Sequence, residues 1–431
     1  MGTADRSRKA GRIRRRRLDA HGKLWDGGFG RYYRRHLDGD HAAQGCPAMK
    51  RFAPVRILIA RAGIGFLITV AVLAGVRLAF FSGPFRRVQT PAPPPLVDLH
   101  VHTAGIGGGG SGCFVSPELQ RSYKFGLYLE AFGVTREELD RDGDALLIRR
   151  ISEKLTSSSQ VGVAVVLALD GAVNAAGDLD SGQTEILVPN EFVARETARY
   201  TNLWFGASIN PYRRDALERL DWAVTNGAVL VKWIPSIMQI DPSDERLVPF
   251  YQRMKAHGLP LLTHAGQERS FTRANDALSD PERLRLPLRL GVTVIAAHIA
   301  STGVNGGEPD VDRLARLMAE FPNLYSEISS LTQVNKLGYL NQALARPEFF
   351  GRLCYGSDFP LINTALVSPW YFPLQLTMTQ MQALDNISNP WDRDVRLKQA
   401  LGVPSDVFAR TRDLLKPSRF GALSAPGLST R

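Results

Sequence analysis

Eight short, almost uninterrupted apolar segments recur from Leu96 onward: Leu96–Val101, Val161–Leu169, Trp204–Ile209, Val229–Ile234, Pro260–His264, Val292–His298, Asn323–Glu327 and Leu353–Ser357. Helical patterns run between them at Ala145–Leu155, Glu191–Tyr200, Ala216–Val224, Glu245–His257, Val311–Glu320 and Asn341–Phe350. Continuous apolar strands rich in β-branched residues suit a parallel sheet buried on both faces. Eight strand–helix units predict an α/β chain whose sheet closes into a (β/α)8 barrel of the TIM type. An open, doubly wound sheet is the structural alternative. The interval after the first strand is the longest, and Gly105, Gly107–Gly110 and Gly112 make it a turning loop. Neither a dinucleotide fingerprint nor a phosphate loop is present there.

Composition narrows the classes further. With 44% hydrophobic residues in 431, the chain is neither disordered nor collagen-like. Its net charge of +11 is concentrated at one end: residues 1–61 carry 16 Lys or Arg against 5 Asp, whereas residues 62–431 carry 37 of each sign. The body therefore has no electrostatic footprint for nucleic acid, and no specific nucleic-acid partner is expected. Cys46, Cys113 and Cys354 are too few and too scattered for a disulfide framework.

Four regions follow: a basic leader over 1–56, an apolar helix over 57–81, a Pro-rich linker over 82–95 and the barrel domain over 96–431. Ile57–Phe81 is apolar apart from Arg61 and Arg77 and would span roughly 37 Å as a helix. It reads as a single transmembrane anchor, with a buried amphipathic helix and a cleaved signal as rival readings. The basic flanks then predict a cytoplasmic amino terminus, with the barrel domain on the opposite side of the membrane. Thr90-Pro91-Ala92-Pro93-Pro94-Pro95 predicts a stiff spacer.

Five polar residues mark the strand ends. VDLHVH supplies His100 and His102, LPLLTHAG supplies His264, TVIAAHIAS supplies His298, and LCYGSDFP supplies Asp358. Strand period two places Asp98, His100 and His102 on one face. In a parallel barrel the strand-end set surrounds the carboxyl mouth, where barrel chemistry occurs. A histidine pair with His264 and Asp358 makes a mixed N/O set suited to Zn, with Mn or Fe as alternatives. His298 serves either as a ligand or in acid–base work. Lys232, ending VLVKW, is costly inside an apolar strand unless paired or modified. Facing the mouth, it could bind a substrate carboxylate or, carboxylated, bridge two metals; facing outward, its ammonium would snorkel. His257 precedes Gly258 at a helix end and suits a structural role. Trp204, Trp233 and Trp370 read as packing, with aromatic walls of the mouth as the alternative; Arg121, Arg213 and Arg269 read as surface residues, with binding of substrate anions as the alternative; and Glu327 reads as either a mouth residue or a structural ion pair.

These motifs, over roughly Leu96–Leu415, resemble the metal-dependent amidohydrolase superfamily, especially the amidohydrolase-related branch with aminocarboxymuconate-semialdehyde decarboxylase and pyrone-dicarboxylate lactonase. The resemblance implies that, as in the mononuclear branch, His100, His102, His264 and Asp358 hold one divalent ion while His298 acts on the substrate. Lys232 leaves the number of ions open, with one favoured over two, and in a hydrolysis Asp358 would orient the bound water and accept its proton. In binuclear relatives the positions of Lys232 and His298 supply second-metal ligands. The expected activity is hydrolysis of an amide, lactone or other ester bond in a small organic substrate by metal-activated water. The rival reaction is non-oxidative decarboxylation of a small unsaturated or aromatic acid. A non-catalytic, membrane-tethered binding protein is the alternative outside enzymology. The glycine-rich insertion and the apolar leader depart from compact members of the branch.

Overall fold

All eight apolar runs pair as strands. A computed structural model describes residues 53–81 and 95–415; the expected leader (1–56) and linker (82–95) lie outside these residues except at their edges. The strands are β1 (Leu96–His102), β2 (Val161–Leu167), β3 (Leu203–Gly206), β4 (Val231–Trp233), β5 (Leu261–Thr263), β6 (Val294–Ala296), β7 (Leu324–Glu327) and β8 (Leu353–Cys354). Parallel pairing gives the orders β1-β2-β3 and β4-β5-β6-β7-β8.

Two backbone seams close these arcs into a barrel. Lys232 N donates to Ala207 O at 2.6 Å, while His102 N donates to Phe359 O at 2.8 Å and Asp358 N to His100 O at 2.9 Å. The second seam binds the start of the sheet to its end, leaving no free edge. It also ties the His100–His102 strand directly to Asp358.

Alternation along each strand divides the core. Val163, Val165 and Leu167 join Val97, Leu99, Leu262 and Ile295 inside the barrel. Ala164 and Val166 instead pack outward with helix residues such as Ile151, Phe192, Leu220 and Leu317. Helices form at Ala145–Thr156, Asn190–Thr197, Ala216–Thr225, Val248–His257, Asp310–Glu320 and Tyr339–Ala345, close to the periodic segments.

β1 departs from strict alternation. Its register with β2 is irregular between Asp98 and Val101. Asp98 therefore does not share the mouth with His100 but accepts from Trp391 Nε1 at 2.8 Å, on the helix Pro390–Ala400. An irregularity of this kind re-aims a side chain at the end of a strand.

The expected transmembrane anchor is not borne out. Ala53–Phe81 is helical, but among the described residues no helix is long and apolar enough to cross a membrane. Arg61 and Arg77 bound an uncharged run of 15 residues. As a helix that run is about 22 Å long, against about 30 Å of hydrocarbon core. The transmembrane part of the expected fold, the membrane as a partner through residues 57–81 and the single-pass localisation with a cytoplasmic amino terminus all fall with it.

The segment between β1 and β2 folds over the carboxyl face as a cap of short helices at Pro117–Arg121, Tyr123–Phe132 and Arg136–Asp142. Buried Asp144 organises its glycine loop, accepting from Ile106 N and Gly107 N, both at 2.9 Å, and from the Ser111 hydroxyl. A Cβ on Gly105 would lie 2.3 Å from Asp144 Oδ2, which explains a glycine there. Asp144→Ala leaves two backbone N–H groups and a hydroxyl without their acceptor. The expected loss of stability is about 1–3 kcal/mol, read as a lower denaturant midpoint at an unchanged m-value.

Candidate functional site

The strand ends deliver the five expected side chains to one mouth. His100 Nε2 lies 3.0 Å from His102 Nε2 and 3.6 Å from Asp358 Oδ1, and His102 Nε2 lies 3.3 Å from the same oxygen. The His298 ring stacks on His100 with centroids 5.2 Å apart, and His264 meets His298 edge-on at 5.4 Å. His100, His298 and Asp358 present donor atoms all within 4.8 Å of one another.

Backbone geometry holds this cluster in place. His298, Ile299 and Ala300 have φ values of 57°, 52° and 50°, and Asp358 has 64°. Non-glycine residues rarely adopt this left-handed region, and such strain concentrates where a site dictates the chain path.

Glu327 sets the histidine tautomers. It is fully buried, with Oε1 3.1 Å from His100 Nδ1 and 3.0 Å from His298 N, which donates to it. A carboxylate at that distance accepts, so His100 carries its proton on Nδ1 and turns a bare Nε2 to the mouth. His298 Nδ1 faces the Ser329 carbonyl at 3.2 Å, which likewise leaves Nε2 bare. The Ser329 hydroxyl donates to Glu327 Oε1 at 2.7 Å. Glu327 is fully buried behind the histidines and does not line the cavity, so of its two anticipated roles the structure shows the structural ion pair.

Lys232 points inward, 1% exposed, with Nζ 3.0 Å from His100 Nε2. Burial pushes its ammonium down to about 8, against the pull of Asp358 and Glu327. Burial also lowers His100 and His298 well below the usual imidazole range, favouring neutral rings. For Asp358 burial acts in the opposite sense, but the hydrogen bond with His102 and the facing histidines hold its carboxyl well below the ordinary range. Ser330 Oγ donates to Asp358 Oδ2, and Gln333 Nε2 donates to Ser330 Oγ at 2.7 Å.

A divalent ion fits these donors. Tetrahedral coordination with bonds of about 2.1 Å requires donors about 3.4 Å apart, matching the spacings of 3.0, 3.3 and 3.6 Å among His100, His102 and Asp358. His264 adds an independent sign. Its Nε2 is buried with no hydrogen-bond partner among the described residues, while Nδ1 lies 3.4 Å from Glu268 Oε2. A buried polar nitrogen without a partner is costly unless something else meets it.

Above the cluster lies a cavity of about 1290 Å³, counted with its open mouth. It is lined by the five strand-end residues and Lys232, by cap residues including Phe125 and Phe132, and by Arg269 and Lys336. Lys336 follows β7 in VNKLG, where no periodicity marks it in the sequence. Other candidates fall elsewhere. Trp233 is core and donates to Ile209 O, while Trp204 is buried inside the barrel. Trp370 is exposed and donates to Asp385. Arg121 is exposed beside Glu118, Arg213 pairs with buried Asp170, and His257 Nε2 lies 2.8 Å from Asp221.

The model of the family described as amidohydrolase matches residues 117–380. No curated protein matches the chain. Among solved structures, an uncharacterised TIM-barrel protein of Bordetella bronchiseptica is 17% identical, with 71% of this chain and 99% of that one covered and a TM-score of 0.44. A putative 2-pyrone-4,6-dicarboxylic acid hydrolase of Pseudomonas putida is 15% identical, with 75% and 98% covered and a TM-score of 0.43. The 5-carboxyvanillate decarboxylase of Sphingomonas paucimobilis is 10% identical, with 74% and 98% covered and a TM-score of 0.42.

Proposed function

The chain belongs to the amidohydrolase family, and from that membership we propose that it is a metal-dependent hydrolase of an amide, lactone or other ester bond in a small organic substrate. The observation carrying this reading is the convergence of His100, His102 and Asp358 at donor spacings of 3.0–3.6 Å. The proposed ligands of one divalent ion are His100, His102, His264 and Asp358, with Zn the best match to this N/O set. We read the catalytic unit as residues 96–431.

A divalent ion bound there lowers the pKa of water towards 7 and polarises a carbonyl oxygen. The protein's own groups do the remaining work. Asp358, anchored through Ser330, orients the attacking water and takes its proton. His298 keeps its Nδ1 proton on the Ser329 carbonyl, and its bare Nε2 takes the proton that Asp358 received from water and passes it to the leaving nitrogen or oxygen. The Lys232 ammonium sits where it can stabilise the developing oxyanion. Lys232 also supports a two-ion reading: as a carbamate it would bridge a second ion, with His298 becoming a ligand.

Product identification tests the reaction class. Zinc-loaded enzyme given a panel of amides, esters and lactones should release an acid together with an amine or alcohol. Release of carbon dioxide from an unsaturated or aromatic acid, with no hydrolytic product, would move the reading to decarboxylation.

A further inference from the structure

The cavity over the strand ends has two unlike sides. The cap contributes a hydrocarbon wall in which Ile106, Phe125, Leu129, Phe132 and Leu139 face the space above the histidines. These residues come from the insertion between β1 and β2, so the wall is made by a segment the barrel does not need for closure.

The cations on the lining are not equivalent. Lys232 Nζ is engaged with His100, and the Arg269 guanidinium is held by Gln267 Oε1 at 2.8 and 3.0 Å. The Lys336 ammonium makes no hydrogen bond or ion pair among the described residues, although it lines the same cavity and feels the charges of Asp358 and Glu268. A half-buried ammonium left uncommitted beside a polar cluster is a ready partner for an anion.

We propose that the substrate is amphiphilic: an acyl derivative whose hydrocarbon chain lies against the cap and whose leaving side carries a carboxylate paired with Lys336. This rests on the hydrolase reading for the bond that breaks. For an N-acylated amino acid, water's oxygen joins the acyl carbon and the C–N bond breaks. A proton passes to the departing nitrogen, giving a carboxylic acid and an amine.

Binding and turnover separate the two claims. N-(alkylsulfonyl)glycines with methyl, butyl, hexyl and octyl chains resist hydrolysis and can be titrated calorimetrically into the zinc-loaded, full-length protein. Affinity is expected to rise roughly fourfold per methylene until the cavity is filled. Lys336→Met should weaken the acids by about tenfold or more and leave the matching glycinamides unchanged. Leu129→Trp should weaken the octyl compound more than the methyl one. A flat chain-length series, or equal losses for acid and amide in Lys336→Met, overturns the proposal. Glycine release from the matching N-acylglycines is measured alongside. Chain- and Lys336-dependent binding without glycine release keeps the subsite and overturns the hydrolase reading. Release at equal efficiency from every chain length keeps the hydrolase and overturns the subsite.

Discussion

Turnover is expected to fall by about 10²- to 10⁴-fold when Asp358 is replaced by Asn, the range for loss of a positioned proton acceptor. The amide is a near-isostere of the carboxylate and can still accept from Ser330, so the fold is expected to persist. It cannot take a proton from water, and being neutral it is a poorer partner for a cation than the carboxylate 3.3 Å from His102 Nε2. Steady-state kinetics with metal content measured on the same sample separates these effects. Loss of rate at full metal occupancy assigns the deficit to proton transfer, whereas parallel loss of both assigns it to ligation. Full activity in this variant would remove Asp358 from the mechanism.

The second large effect belongs to Glu327, which touches no solvent. Its carboxylate contacts His100 Nδ1, His298 N and Ser329, whose N–H and hydroxyl both donate to it. Glu327→Ala leaves those donors buried without an acceptor and frees the His100 tautomer. Metal affinity is expected to drop about 10- to 100-fold, as for other outer partners of ligating histidines. Stability should fall by about 3–5 kcal/mol, the cost of breaking a buried charged network. Competition with a metal chelator reads the first effect and urea denaturation the second. Glu327→Gln should recover part of the stability but less of the affinity, because its amide cannot accept from every donor at once.

The parts legible in the sequence were those with a local signature. Each barrel strand is an apolar run, and the histidines at or next to the ends of these runs, His100, His102, His264 and His298, meet at one mouth because parallel strands bring their ends together. Asp358 was legible because GSDFP follows the last run. The strands themselves are shorter than their runs: β8 pairs only through Leu353–Cys354, and the chain beyond it is bonded to β1 instead. Asp98 escaped the period-two rule because the β1 register is irregular. The cap helices, some only five to seven residues long, carry too little periodicity to stand out. Lys336 has no local signal at all, since only the fold of the turn after β7 turns it towards the mouth. Ile57–Phe81 is apolar overall and long enough as a whole to span a membrane, but Arg61 and Arg77 leave too short an uncharged stretch between them.

The proposed chemistry depends on a catalytic divalent ion held by the strand-end cluster. Metal analysis of full-length protein, purified without chelators and with bicarbonate present to protect any carbamate, tests it most directly. One equivalent of divalent metal per chain is predicted, with hydrolysis lost when the ion is removed and restored by zinc. Two equivalents would make Lys232 and His298 ligands. Hydrolysis that continues undiminished in metal-free protein would contradict this dependence.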